Sequence, residues 1–415
     1  MANPAQRIGE QTLGRLLVRA LGRVSIASVL LCLALAGPAA ADGPGVGTPT
    51  VVTLGDSAIS GEAGRWAGNT NMPSWRVDAL GSSAYWDTET GESIPGCHRS
   101  KAAQAHIGGG IVSKNLACSG AKTYTSGTGT GDNFKPGIDF YSGPKGVGQA
   151  LALQQYAAEH NVKAVVVMIG ANNYGFAAVV ERCVTNWATS PSWWKNYCSD
   201  DSDMTSRFTA TRQATETANV RDALLRVRDA MSNAGYDASQ YTILAQTYWS
   251  PVPRGDAIRY PESGWTRQSV GGCGAWNRDL NWANDVVVPA MNNTTKNAAA
   301  QTGLPNIKVL DLQTALNGRR LCENTVGLLE EVGLGWWRDA GAVDHTEWVA
   351  QIRTVTTIFP PYQLQEASHA SYWGQMAMRN CLRQAYNAGN VIGGRCVRGA
   401  NGLNGAGEPN MALVP

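Results

Sequence analysis

The segment that most restricts the fold is Val162-Lys163-Ala164-Val165-Val166-Val167-Met168-Ile169, apolar at every position but Lys163. Such a run lacks the two-residue alternation of a half-exposed strand, so it predicts a parallel strand covered on both faces. Four further β-rich runs, at 50–54, 112–117, 241–248 and 307–310, lie on either side of it. Helical composition fills 146–160, 214–234, 277–302 and 372–388. Strand and helix therefore alternate, which predicts right-handed crossovers and an open, mainly parallel five-stranded sheet inside a three-layer α/β/α sandwich. Ligand sites in such sheets lie at the carboxyl ends of the strands.

Composition supports one packed body. With 43% hydrophobic and 16% charged residues, the chain is neither disordered nor a coiled coil, and no internal repeat or linker-like break divides it. The expected organisation is a single domain over 42–415, with long loop insertions at 121–148, 183–208, 249–276 and 317–366. Loops of that length in a compact domain act as walls or lids of a site.

The first 41 residues read as an export signal. They carry four Arg and one Glu, an apolar stretch at 24–37 and an Ala39-Ala40-Ala41 cleavage pattern before Asp42. The apolar stretch is too short for a membrane-spanning helix, so no stable membrane anchor is expected. Of 34 basic and 32 acidic residues, 30 and 31 fall after the leader, leaving a balance of −1. That charge offers nothing to a phosphate backbone and argues against a nucleic-acid partner.

Export to an oxidising compartment gives the cysteines a role. Eight follow the leader: Cys97, Cys118, Cys183, Cys198, Cys273, Cys322, Cys381 and Cys396. Pairing sequential neighbours closes the shortest loops, so the expected bridges are Cys97–Cys118, Cys183–Cys198, Cys273–Cys322 and Cys381–Cys396. No Cys-x-x-Cys or His-x-x-x-His spacing suggests a metal, and no dinucleotide or Walker loop suggests a cofactor, so neither is expected.

Three strand ends carry residues suited to acyl transfer. After the first strand comes Gly55-Asp56-Ser57, where a turn into a helix would expose the Ser57 hydroxyl at a helix amino end. Helix capping alone is the competing role of that serine. The second strand leads to Cys118-Ser119-Gly120-Ala121, in which Gly120 permits close backbone approach. The third leads to Gly170-Ala171-Asn172-Asn173, where the Asn172 amide can donate toward the same pocket or bond its own turn. A nucleophilic serine needs a base, and His369 is chosen from five histidines. It precedes the last long helix, and Glu366, three residues earlier, could hold its tautomer. His345 beside Asp344 is the second candidate.

Taken together, these blocks resemble the SGNH/GDSL hydrolase superfamily, mostly esterases and lipases, and within it the secreted actinobacterial members. The resemblance extends over about residues 49–388, with further support in Cys97-His98-Arg99-Ser100 and Tyr372-Trp373-Gly374-Gln375. It implies a flavodoxin-like SGNH fold and a Ser57 nucleophile. It also implies an oxyanion hole from Ser57, Gly120 and Asn172, and a catalytic acid–base pair in Glu366 and His369. Two positions depart from the family pattern: Asn173 stands where that pattern has Asp, and Glu366 where it has Asp. Asn173 is expected to support its loop rather than touch substrate. For His369 a backbone carbonyl could replace Glu366 as the orienting group. The implied activity is secreted, monomeric carboxylic ester hydrolysis on a small-molecule, glycan or lipid ester. A polysaccharide-binding protein with an impaired site is the alternative, motivated by Asn173 and by 14 Trp, many in loops.

Overall fold

The computed structural model describes residues 42–69, 73–329, 333–352 and 366–415; the leader expected at 1–41 lies outside the described residues. Seven strands form the main sheet: β1 (Pro49–Gly55), β2 (Val112–Asn115), β3 (Asn161–Met168), β4 (Thr242–Gln246), β5 (Ile307–Asp311), β6 (Gly394–Leu403) and β7 (Pro409–Val414). Their order is β2-β1-β3-β4-β5-β6-β7, parallel throughout except for the antiparallel β6–β7 pair. The five expected strands are all present. The sheet is wider than expected because the C-terminal hairpin adds two more. β6 is rich in Gly and Arg and largely half-exposed, and the apolar stretch of β7, 411–414, is only four residues long, so neither stands out as a strand.

The helices used below are α1 (Ser57–Ser60), α2 (Gln149–Ala157), α3 (Ala171–Tyr174), α4 (Phe176–Thr189), α5 (Ala210–Asn233), α6 (Asn277–Trp282), α7 (Val288–Gln301) and α8 (Tyr372–Tyr386). A π-helical turn, Ala283–Val287, joins α6 to α7 inside the single helix expected there. Within the insertion expected as a loop from 183, the first residues belong to α4, whose Val179, Val184 and Trp187 are buried one to two turns apart. Among the described residues no helix is long and apolar enough to cross a membrane.

Alternate residues of the continuous apolar strands feed two cores. Ala164, Val166 and Met168 of β3 join Val51, Leu244 and Leu310 under α8. Val162, Val165 and Val167 join Val52, Leu54 and Ile243 under α2 and α5. From α5, Val220, Leu224, Val227 and Met231 present one apolar stripe at spacings of three and four residues. Each fully buried Val or Leu contributes about 1.5–3 kcal/mol, so the sheet is clamped from both sides. All four cysteine pairs are bridged as neighbour pairing anticipates.

This topology locates a crevice. From β1 the chain runs to β2 on one side, while β3 lies on the other, so strand order switches direction at β1 and opens a site beyond the carboxyl ends of β1 and β3. At that end Gly55 takes a φ of 141°, and an added Cβ there would lie 1.9 Å from the Met168 carbonyl oxygen. Only glycine lets β1 pass β3 this closely. The buried Gln149 amide then fastens Gly55, accepting from its N–H at 2.7 Å and donating to its carbonyl at 2.9 Å.

Candidate active site

Ser57 is the first residue of α1. Asp56 caps that helix, its carboxylate accepting from the Ala58 N–H at 3.0 Å. The capping role open to Ser57 is thus taken by its neighbour, and the Ser57 hydroxyl is free to face the crevice. Asp56 is buried and also accepts from the Tyr248 hydroxyl. Burial pushes its carboxyl up to about 6, against the opposing pull of those hydrogen bonds. The same Tyr248 oxygen accepts from the Ala171 N–H at 3.1 Å, so one side chain at the end of β4 ties the β1 turn to the β3 turn.

His369 reaches Ser57 from the far end of the chain. Its Nε2 lies 2.6 Å from Ser57 Oγ across 312 positions of sequence. Two features aim the ring. Ser368 adopts a φ of 63°, turning the chain sharply, and the Val349–Ala370 bridge fixes the turn, with the Ala350 N–H donating to the His369 carbonyl at 2.8 Å. On the other edge of the ring, Nδ1 lies 2.9 Å from the Ala367 carbonyl. A carbonyl can only accept, so Nδ1 carries the proton and Nε2 presents its lone pair to Ser57. The side chain stays 23% exposed, which leaves room for a substrate.

Of the two groups expected as alternatives to orient His369, a backbone carbonyl holds the Nδ1 edge and the Glu366 side chain lies elsewhere. Within the turn from 366 to 369 the peptide carbonyl of Ala367 already occupies the Nδ1 edge, and the longer Glu arm leads away to accept from the Tyr85 hydroxyl at 2.5 Å. Burial pushes the Glu366 carboxyl up. His345 does not line the cavity that holds Ser57, and its neighbour Asp344 serves the C-terminal hairpin, accepting from the Gly402 N–H and facing Arg319.

Asn172, on α3, lines the same cavity as Ser57 and His369. One of its amide hydrogens goes to the Ala121 carbonyl at 2.9 Å, which fixes the amide plane and leaves the other hydrogen for a ligand. Gly120 sits in the turn between Ser119 and Ala121 with a φ of 78° but does not line the cavity; its neighbours do the anchoring, as Cys118 donates to the Gly55 carbonyl. Asn173 faces away from the cavity. Its Nδ2 donates to Thr123 Oγ1 and to the buried Glu216 carboxylate at 2.8 Å, a donation an Asp could not make. The departure from the family pattern is therefore matched by its partner.

Phe176, Trp249, Pro251 and Met291 form apolar walls of the cavity beside the reactive groups. A second cleft shares Phe176, Pro251 and Ser368 with it and continues between α4 and α6. Its lining is almost wholly apolar, with Val179, Val184, Leu280 and Val287 among its walls. Sequence reasoning missed Tyr248, Phe176 and Glu62. The first ends the fourth strand, a place the switch-point rule marks. Glu62 follows Ser57 by little more than one turn, and only folding shows that its carboxylate lies 3.7 Å from His369 Nε2.

No protein-family model matches the chain and no curated protein matches it. Among solved structures it is similar to an extracellular lipase from Streptomyces rimosus, at 18% identity and a TM-score of 0.42, covering 79% of this chain and 94% of that one. It is similar to a phospholipase A1 from Streptomyces albidoflavus NA297, at 17% identity and a TM-score of 0.44, covering 81% and 99%. A Corynascus thermopiles carbohydrate esterase of family 2 with a carbohydrate-binding domain aligns at 12% identity and a TM-score of 0.37, covering 83% and 67%.

Proposed function

We propose that the protein is a secreted SGNH/GDSL-type serine hydrolase that cleaves carboxylic esters through a Ser57–His369 dyad. The observation that carries this reading is the 2.6 Å approach of His369 Nε2 to a half-buried serine hydroxyl at a helix start, with Asn172 on the same cavity. In the proposed cycle His369 takes the Ser57 proton as Oγ bonds to the ester carbonyl carbon. The resulting imidazolium gives that proton to the leaving alkoxide, and an acyl group stays on Ser57. A water then attacks the acyl carbon as His369 takes its proton, and the imidazolium returns that proton to Ser57 Oγ as the Oγ–acyl bond breaks and the acid leaves. The Ser57 N–H and the Asn172 amide are the proposed oxyanion donors, the latter held in plane by Ala121.

The acyl portion belongs in the apolar cleft between α4 and α6, which adjoins the Ser57 cavity at Phe176, Pro251 and Ser368 and offers few polar partners. This favours an aliphatic ester over an acetylated sugar. Hydrolysis of p-nitrophenyl esters of increasing chain length, by wild type, Ser57→Ala and His369→Ala, tests the reading. Turnover abolished in both variants and higher on longer aliphatic chains than on acetate is the expected result; full activity in either variant removes that residue from the mechanism.

A further inference from the structure

Beneath the dyad lies a buried carboxylate that the cycle above does not use. Glu62 is 1% exposed. Its Oε2 accepts from the Ser119 hydroxyl at 2.5 Å and stands 3.7 Å from His369 Nε2. Its Oε1 faces His98 Nδ1 at 3.2 Å, off the direction of a hydrogen bond, so that pairing is one of charge. An ionised carboxylate out of contact with water is costly unless paired, and here it is enclosed by a hydroxyl donor and two imidazoles.

We propose that Glu62 is a positioning residue for the proposed hydrolysis: its fixed negative charge stabilises the imidazolium that His369 becomes when it takes the Ser57 proton. The proposal rests on the serine-hydrolase reading. In a triad the third member sits on Nδ1, but here that edge is occupied by a neutral carbonyl, Ala367. The compensating charge instead lies beside Nε2. That placement carries a hazard, since a free carboxylate there would bind the Nε2 proton and keep it from the leaving group. Ser119 and His98 prevent this by holding Glu62 at 3.7 Å, near enough for charge and too far for a hydrogen bond. The proton then passes from Ser57 Oγ to Nε2 and on to the alkoxide oxygen, while Glu62 gains none.

The other groups around the carboxylate are consistent with an ionised Glu62. His98 and His369 hold its carboxyl below the usual range against the upward push of burial, and the charge in turn draws His98 up. Lys135 adds a positive group. Asp56, Tyr85 and Glu366 are each made harder to ionise by it. Glu92 approaches from the His98 side, accepting from the His98 backbone N–H at 2.6 Å.

The test is Glu62→Gln, which keeps the shape and removes the charge. The readouts are the pH profile of kcat/KM on p-nitrophenyl butyrate and the pH profile of labelling by a fluorophosphonate. For a folded variant, kcat falls about 10–100-fold with KM little changed, and the acid limb of both profiles moves to lower pH, because protonating the imidazole loses its partner charge. An acid limb that coincides with wild type in a variant of unchanged melting temperature overturns the proposal. Should Glu62→Gln not fold, Ser119→Ala decides. Freeing Oε2 to reach Nε2 moves the acid limb up and lowers kcat, and a profile identical to wild type overturns the proposal. Wild type that neither turns over ester nor reacts with the fluorophosphonate removes the hydrolase reading and this inference together, whereas active wild type with unmoved variants removes only the role of Glu62.

Discussion

The Tyr248 hydroxyl donates to the Asp56 carboxylate and accepts from the Ala171 N–H, so a single oxygen joins the turn that carries Ser57 to the turn that carries Asn172. Replacing Tyr248 by Phe leaves a buried acceptor and a buried donor without partners. The expected loss is about 1–3 kcal/mol of stability for each group left unsatisfied, read from urea melts, together with a fall in kcat as the two turns lose their common tie. A variant as stable and as active as wild type would show that the bridge is idle.

Two buried groups give the protein opposing pH dependences. Asp56, pushed up to about 6 by burial, binds its proton more tightly folded than unfolded, so its stabilising contribution is complete below about pH 4 and is lost as pH rises through 6. His106 is held down to about 4, by burial first and by Arg379 second, so its contribution is complete above about pH 6.5 and is lost as pH falls toward 4. Each amounts to something on the order of 3 kcal/mol. In wild type the two largely offset between pH 4 and 6. Asp56→Asn should expose the acid loss owed to His106, and His106→Asn should expose the opposite slope. Urea midpoints measured across that window check it, and parallel curves for all three proteins would contradict it.

Asn172 and Asn173 are neighbours with separate duties. Asn172→Ala removes a donor aimed into the cavity and should lower kcat on the order of 10²–10³-fold with little change in melting temperature. Asn173→Asp sets a second carboxylate against buried Glu216 and should lower stability by about 1–3 kcal/mol at neutral pH, with kcat changed far less. Kinetics and melting on the two variants separate these effects, and a reversed pattern would exchange the roles.

Glu366→Gln retains an acceptor for the Tyr85 hydroxyl and leaves the Ala367 carbonyl on His369. Its kcat/KM should stay close to wild type, whereas Ser57→Ala and His369→Ala should each lose roughly 10⁴–10⁶-fold. A loss in Glu366→Gln as large as in His369→Ala would restore Glu366 to the catalytic group.

Val184 stands in the wall of the apolar cleft that adjoins the Ser57 cavity. Val184→Trp should fill that space, leaving hydrolysis of acetate esters near wild type while depressing long-chain esters. An unchanged chain-length profile would place the acyl group elsewhere.

Much of this could be read along the chain because it depends on local rules. The unbroken run at 162–169 specified a strand buried on both faces, since no exposed face could tolerate it, and the neighbouring runs specified its partners. Gly55, Ser57 and Asn172 were visible because strand ends in an alternating fold converge on one edge of the sheet. The cysteine pairs followed from short loop closure. The C-terminal hairpin escaped because only a few of its residues, Cys396, Met411 and Leu413 among them, pack on the core, too few to mark strands along the chain.

What tertiary structure alone decided were contacts between side chains remote in sequence or free to choose among neighbours. A glutamate three residues before a histidine can reach its ring or turn away, and the peptide carbonyl of Ala367, already seated on Nδ1, settled that choice for Glu366. The same holds for Glu62 and Tyr248, whose partners come from other strands and loops. Burial and distance set the charge and hydrogen bonding of such groups, and neither exists until the sheet has closed around them.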